Sequence, residues 1–199
     1  MKYIRKKAEP PKFTLWKKQN IPLGMGYGQL HSDVKKSLHT SLIQEQGGLC
    51  CYCECRVRQE GSHIEHFCPQ QTFPGMGLKY DNLHASCQRE LQPGEPLHCG
   101  HGKANWFDQD LLVSPLDPGC EARFKFTAIG KMVAADPEDV AARETIDKLG
   151  LNIEKLQALR KGAIDALMDN SPDQIYQILD MPINGEFQEF LTTIRAVLT

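Results

Sequence analysis

Residues 49–70 read LCCYCECRVRQEGSHIEHFCPQ, residues 80–91 read YDNLHASCQREL, and residues 97–106 read LHCGHGKANW. These three segments hold seven of the eight cysteines and five of the seven histidines in the 199-residue chain. No apolar run is long enough to cross a bilayer, and the basic N-terminus lacks the apolar stretch of a signal peptide. We therefore expect a cytoplasmic protein. In such a reducing compartment, clustered cysteines favour metal binding over disulfides.

The cysteine spacing predicts a structural zinc site. The C-x-x-C pair in the first segment places two thiolates on one side of a tight turn, and the later segments can complete the all-sulfur tetrahedron that zinc prefers. The expected ligands are Cys50, Cys53, Cys87 and Cys99. Eleven residues separate the last two, which is more than a normal knuckle contains, so Cys51 and Cys55 stay open as alternative ligands.

A carboxylate and a histidine stand side by side between the two cysteine pairs. Glu65 can bind a hard divalent cation through oxygen, whereas His66 titrates near neutral pH and can take a proton from water. Successive residues of a strand face opposite sides, so a local bend is needed to bring both groups into one site. The pair alone is a weak signal, but its place among the cysteines makes a catalytic site the preferred interpretation.

The order of these elements resembles the HNH nucleases. More narrowly, the chain is similar to the HNH nuclease subunit of Septu-type anti-phage systems, which also occurs in some retron defence systems. The resemblance covers most of residues 1–160 and rests on MKYIRK (1–6), HIEHF-x-P (63–69), YDNL (80–83), CGH-x-K (99–103), SPLDPGCEARFKF (114–126) and TIDKLGLN (145–152). It implies two strands and a helix around one catalytic metal, braced by a separate four-cysteine zinc.

Carried over by position, the resemblance assigns roles to the site residues. His66 matches the general base, and Glu65 and His101 match the ligands of a catalytic Mg²⁺ or Mn²⁺. Asn82 matches the asparagine that pins a loop and orients the base, and Lys103 would face a backbone phosphate. The remaining histidines of the three segments are expected at the surface or in packing: His63, His84 and His98.

The resemblance also implies substrate and partners. Backbone hydrolysis needs a phosphate and a metal, so DNA and a structured RNA such as tRNA both remain open as substrates. Control is expected from an ABC-type ATPase, and retron-associated forms add a reverse transcriptase and its DNA product.

Two other classes of protein share some of these features with a nuclease. A non-catalytic zinc module that binds nucleic acid or protein would explain the cysteines but not the order of Glu65, His66, Asn82 and His101. A zinc-dependent deaminase also uses H-x-E, which residues 63–65 match. That class needs its C-x-x-C after the H-x-E, whereas here it comes before.

Charge is distributed unevenly along the chain, although the net charge is only −2. Residues 1–133 carry 17 Lys/Arg and 13 Asp/Glu, and residues 134–199 carry 6 and 12. The first twenty residues hold seven basic side chains, among them Lys6 and Lys7, and could contact phosphates. A solvated basic tail is the alternative.

The pattern predicts an α+β fold in which a ββα-metal core lies between helical flanks. A basic arm and helix (1–48), a zinc-braced core with a hairpin (49–133) and a helical C-terminal region (134–199) are expected. Helices are predicted from Ser32 to Gly47, from an Asp136 cap to Gly150, from an Asn152 cap, and over 172–179 and 186–198. The acidic last third suits docking to a basic protein face, with Tyr176, Phe187 and Phe190 as anchors. Deleting residues 171–199 is then expected to weaken partner binding while sparing the zinc.

Overall fold

A pair of short antiparallel strands lies at the centre of the computed structural model, which describes residues 1–199. Strand β1 (Ser62–His66) pairs with β2 (Leu83–Cys87), so that Glu65 stands opposite His84. Every residue of β2 is buried, because helices cover it on both sides. The short helix that follows, α3 (Cys99–Lys103), packs on β2.

Helices and a second small sheet surround this centre. The other helices are α1 (Pro11–Asn20), α2 (Ser32–Glu45), α4 (Val140–Lys148), α5 (Glu154–Asp165), α6 (Pro172–Asp180) and α7 (Leu191–Leu198). The second sheet pairs β3 (Phe124–Phe126) with β4 (Met132–Ala134). This mixture of helices and small sheets agrees with the predicted α+β class. None of the helices is both long and apolar enough to cross a membrane.

The end of α2 and the turn of the second sheet lie at the glycines where the sequence predicted them. Helix α2 ends at Gly47 and Gly48, whose φ angles of 60° and 73° are left-handed and cost glycine little. The β3–β4 hairpin turns at Gly130, where φ is 80°. A Cβ at Gly130 would fall 2.2 Å from the Gln157 carbonyl oxygen, so the hairpin also packs closely on α5.

Several predicted helix boundaries were wrong, and at Asn152 the reason is a tertiary contact that takes the capping side chain. Helix α4 is capped by Asp139, whose carboxylate accepts from the Ala142 N–H, and not by Asp136. Asn152 holds the Met132 backbone at 2.8 Å through both its oxygen and its nitrogen, so it does not cap α5. The last helix begins at Leu191 and not near residue 186.

The N-terminal segment is folded and is not a solvated tail. Met1 and Ile4 are buried in the main core, and the Ile4 N–H bonds to the Pro115 carbonyl at 2.8 Å. Residues 11–20 form α1, where no periodic pattern predicted a helix. The main core runs from Met1 to Leu156, so it crosses the predicted boundaries after residues 48 and 133.

The C-terminal region packs on the cysteine-rich segment, which argues against the expectation that its removal would spare the zinc site. The Thr192 N–H donates to the buried Glu54 carboxylate at 2.9 Å, directly after Cys53. Two of the three proposed anchors also serve the protein's own packing. Phe190 is buried and the Phe187 ring lies against Gly47, whereas Tyr176 is exposed.

Candidate active site

Four cysteines meet in a buried cluster that fits a metal ion. Cys50, Cys53, Cys87 and Cys99 bring their sulfur atoms within 4.8 Å of one another. The Cys53 and Cys87 Sγ atoms are 3.6 Å apart. Tetrahedral zinc with Zn–S bonds of about 2.3 Å holds its sulfurs about 3.8 Å apart, so the cluster matches that geometry. Cys51 and Cys55, the alternative ligands, lie outside the group.

Backbone N–H hydrogen bonds hold the end of the long segment between Cys87 and Cys99 next to the cluster. The His98 N–H donates to the Gln88 side chain at 2.9 Å, and the Cys99 N–H donates to the Leu149 carbonyl at 2.7 Å. His98 itself is buried, with Nδ1 3.1 Å from the Cys99 sulfur and 3.7 Å from the Cys87 sulfur. His98 therefore lies against the cysteine cluster, a contact that the sequence did not predict.

Glu65 is a buried carboxylate whose two oxygens face different groups. Oε1 lies 3.1 Å from the Lys103 ammonium and accepts from the Tyr52 hydroxyl at 3.3 Å. Oε2 lies 3.5 Å from Nε2 of His63. Burial opposes ionisation, but His63 and Lys103 outweigh it and hold the pKa of Glu65 below its ordinary value. Glu65 is therefore ionised at neutral pH, as a cation ligand must be.

His66 is held by a loop that Asn82 closes. Nε2 of His66 donates to the Gly77 carbonyl at 3.1 Å. The Asn82 amide donates to the carbonyls of Cys68 (3.0 Å) and Met76 (3.1 Å), and its oxygen accepts the Cys68 N–H at 2.7 Å. Burial lowers the pKa of His66, so its imidazole is neutral at pH 7, with Nδ1 unprotonated.

His101 lies beside His63. The centroids of the two imidazole rings are 5.0 Å apart. Nε2 of His101 and Nδ1 of His63 are buried without a hydrogen-bond partner in the protein. Buried polar nitrogens are normally satisfied, so Nε2 of His101 is available to a ligand from outside the protein. His63 was expected at the surface or in packing. Its i, i+2 spacing from Glu65 on a strand was the signal that both share one face.

Two pockets flank strand β1. One, of about 440 Å³, is lined by Glu65, His66, Gln70, Lys103 and Asn105. The other, of about 480 Å³, is lined by Tyr27, Lys35, Lys36 and Arg89 as well as His63. The lining holds these three basic side chains and one acidic one, Glu60, so this second pocket carries a net positive charge next to the site. Sequence reasoning missed these three cations, since single basic residues on a helix or loop give no motif.

The basic residues proposed for nucleic acid binding are placed differently from one another. Lys6 points inward, with its ammonium 2.6 Å from Glu45 and 4.4 Å from the Tyr80 ring centre, so it serves the fold. Lys103 is 2% exposed and also donates to the His66 carbonyl at 3.1 Å, so its ammonium is engaged within the protein. Lys7 is exposed.

A larger hollow, of about 870 Å³, lies away from this chemistry. Arg56, Gln174, Met181 and Ile183 are among its lining residues, and it contains no histidine or cysteine. Glu65, His66 and His63 line the smaller pockets beside β1, which are therefore the candidate active site.

Comparison with known proteins gives two relatives. The chain is 31% identical over 142 residues to the protein named "Retron Vc95 putative HNH endonuclease" from Vibrio cholerae serotype O1 biovar El Tor. This alignment covers 68% of the present chain and 67% of the relative. The chain is also 35% identical over 57 residues to Septu protein PtuB of Bacillus thuringiensis. That alignment covers 28% of the present chain and 22% of the relative. No protein-family model matches the sequence.

The longer alignment spans two thirds of both chains, and the HNH elements lie together around β1, β2 and α3. The nuclease prediction is thereby confirmed, and the chain belongs to the HNH endonucleases of retron and Septu defence systems.

Proposed function

We propose that this endonuclease is metal-dependent and hydrolyses phosphodiester bonds with a ββα-metal core formed by β1, β2 and α3. The observation that carries the proposal is that a carboxylate and an imidazole line the same pocket. These are the ionised Glu65 and the neutral His66, whose ring is oriented by the Gly77 carbonyl. A catalytic base and a cation-binding carboxylate are the two protein functions that the reaction requires.

His66 acts as the general base. Because Nε2 donates to Gly77, the neutral ring presents Nδ1 as the proton acceptor. Nδ1 takes a proton from the attacking water, whose oxygen bonds to phosphorus. The bond from phosphorus to the 3′ oxygen breaks, which leaves a 5′ phosphate. Removing a positioned base of this kind costs on the order of 10²–10⁴ in rate.

Glu65 and His101 would hold a Mg²⁺ or Mn²⁺ ion. When bound, such an ion polarises the scissile phosphate and stabilises charge on the departing oxygen. Lys103 and Tyr52 fix one oxygen of Glu65, and the other faces His63. We assign the four-cysteine cluster to zinc, which ties α3 to β2 and so sets the place of His101.

The substrate is a nucleic acid, DNA or tRNA, held by its backbone. Lys35, Lys36 and Arg89 give the pocket beside the catalytic one a net positive charge, and the exposed Lys7 adds to the basic surface. We further propose that the chain is an effector of a defence system under the control of an ABC-type ATPase. A retron reverse transcriptase and its DNA are possible additional partners. Both relatives carry defence-system names, which supports this placement.

The experiment is cleavage of labelled DNA and tRNA by the purified chain, alone and together with proteins encoded beside it. We expect cleavage with Mg²⁺ or Mn²⁺, none with EDTA, and none by His66→Ala, which should keep its fold and zinc. Full activity of His66→Ala would refute the role of the base. A chain that binds zinc and nucleic acid but never cuts would support the non-catalytic zinc module instead.

A further inference from the structure

Tyr27 packs against the imidazole of His66, although it lies outside the three segments that carry the nuclease elements. The centroids of the two rings are 4.4 Å apart and their planes meet at 85°, so the edge of one ring contacts the face of the other. Aromatic rings favour such edge-to-face contacts. Tyr27 is partly buried and packs on the main core. The segment before α2 therefore places an aromatic side chain next to the proposed base.

A short turn fixes the backbone from which the Tyr27 side chain extends. Residues Tyr27–Gln29 form one 3₁₀ turn, in which the Leu30 N–H donates to the Tyr27 carbonyl at 3.1 Å. The Gln29 side chain accepts the Gly26 N–H at 2.9 Å and so closes the start of the turn. Leu30 is buried and anchors its end to the core. Both ends of the turn are tied, so the Tyr27 ring is presented from a fixed position.

One hydrogen bond does not by itself fix the plane of the His66 imidazole. Nε2 of His66 donates to the Gly77 carbonyl at 3.1 Å. The χ2 torsion of a histidine has broad minima, so a single bond at the tip of the ring limits rotation only weakly. A second ring that lies across the imidazole blocks this rotation by steric contact. Gly77 and Tyr27 together therefore hold one orientation, in which Nε2 is the donor and Nδ1 the acceptor.

Tyr27 also connects the proposed base to the basic pocket. Its ring lines the pocket of about 480 Å³, and the Lys35 ammonium lies 5.3 Å from the ring centroid. A cation at this distance is attracted to the face of an aromatic ring, so Lys35 on α2 helps to hold the ring. A nucleic acid backbone bound in this pocket lies close to Tyr27, which in turn contacts His66.

We propose that Tyr27 is a positioning residue for the reaction, and that its ring fixes the plane of the His66 imidazole. The inference rests on the proposed function, because it takes His66 as the general base. A base whose acceptor nitrogen points away from the attacking water is ineffective even when it is neutral. Loss of the ring should therefore lower kcat and leave KM nearly unchanged. The ring and not the hydroxyl carries this role, so phenylalanine can replace Tyr27 and leucine cannot.

Nuclear magnetic resonance of the purified chain at neutral pH tests the contact without reference to cleavage. The ¹⁵N shifts of His66 report which ring nitrogen carries the proton, and the shifts of its ring protons report the ring current of Tyr27. His66→Ala identifies both signals. We expect the Nε2–H tautomer and a displaced ring proton in the unmodified chain and in Tyr27→Phe. In Tyr27→Leu the displacement should vanish and the two tautomers should mix.

The unmodified chain alone can overturn the proposal, whether or not Tyr27→Leu folds. If its His66 ring protons show no ring-current displacement, the two rings are not in contact and Tyr27 does not position the base.

Steady-state kinetics separate a positioning role from a structural one. We expect Tyr27→Leu to lower kcat roughly ten- to a hundredfold at nearly constant KM, because the base is misoriented while the basic pocket keeps its charge. Tyr27→Phe should restore most of this kcat. Met25→Ala is the matched control and should keep both constants, since Met25 is an exposed residue of the same segment that lines neither pocket. A loss of kcat that phenylalanine does not restore would assign the effect to the hydroxyl and overturn the proposal.

Failure of this inference is distinguishable from failure of the proposed function. If the chain cuts no nucleic acid under any condition, the proposed function is lost, and the resonances of His66 alone decide whether Tyr27 sets its ring. If cleavage requires His66 but Tyr27→Leu keeps the unmodified kcat and a single tautomer, the general base stands and Tyr27 is not its positioning residue.

Discussion

Asn82 and His66 bind adjacent carbonyls of one loop. The Asn82 amide donates to the Met76 carbonyl at 3.1 Å, and His66 Nε2 donates to the carbonyl of the next residue, Gly77, also at 3.1 Å. Asn82 also binds both backbone groups of Cys68, so it ties the two ends of the connection after β1 together. The orientation of the base therefore depends on an amide that need not touch the substrate.

Asn82 variants should separate loop closure from metal binding. Asn82→Ala leaves the Cys68 N–H and two carbonyls without their partners, and we expect about 1–3 kcal/mol of lost stability together with a lower kcat. Asn82→Asp keeps the acceptor for Cys68 but loses the donor to Met76, so its kcat should also fall. Mn²⁺ affinity should stay unchanged in both. Denaturant unfolding and steady-state kinetics provide the measurements, and an unaltered kcat in Asn82→Asp would contradict the coupling.

The pH dependence of cleavage should report His66. Burial is the main cause that lowers the pKa of His66 below its ordinary value of 6.5. The neutral form is the active base, so activity should be complete above pH 6.5 and fall as the pH drops through this lowered pKa. The acidic limb of log(kcat/KM) against pH is the measurement. If the acidic limb gave an apparent pKa of 6.5 or higher and that pKa belonged to His66, the base would not be a buried, neutral imidazole.

The sequence predicted the cysteine cluster, because the C-x-x-C spacing of Cys50 and Cys53 places two thiolates together. It did not predict the inward placement of Lys6 and Lys103, whose partners Glu45 and Glu65 lie far along the chain. The prediction that Asn152 caps α5 was wrong for the same reason. The Asn152 side chain forms a long-range hydrogen bond with Met132 and is not available to the first turn of the helix. His98 was missed because the long connection before it hides which atoms return to the cluster.

Loss of one thiolate should remove the zinc. Cys53→Ser should lower zinc from one per chain to near zero and destabilise β2 and α3, since ligation contributes folding free energy. Cys68→Ser is the matched control, because Cys68 is a partly exposed cysteine outside the cluster. Elemental analysis and thermal unfolding measure the two effects. Equal zinc content in both variants would count against the cluster as the zinc site.

The basic pocket should contribute phosphate contacts. Lys35→Ala and Lys36→Ala should each weaken nucleic acid binding with little dependence on sequence, and each should reduce the slope of log affinity against log salt by about one. Lys131→Ala, an exposed lysine of the β3–β4 hairpin that lines neither pocket, is the control. Binding is measured by fluorescence anisotropy at several salt concentrations. A slope that is the same in all three variants would place the substrate elsewhere.

Partner docking should be tested by surface changes on the C-terminal region and not by its deletion. Removing residues 171–199 would strip Thr192 from the buried Glu54 and uncover the apolar contacts of α7, so zinc retention and stability should fall together with any loss of binding. Tyr176, Met181 and Ile183 are exposed, at 43%, 69% and 78%, and can be changed without opening the core.

We expect Tyr176→Ala combined with Met181→Ser to weaken co-purification with the proposed ATPase at least tenfold, because desolvated aromatic and apolar side chains dominate most interfaces. Zinc content and Mn²⁺ binding should be unchanged. Leu159→Ser is the matched control, since Leu159 is a similarly exposed apolar residue on α5. If the double variant binds the ATPase as well as the unmodified chain does, docking occurs on another surface and the nuclease assignment is unaffected.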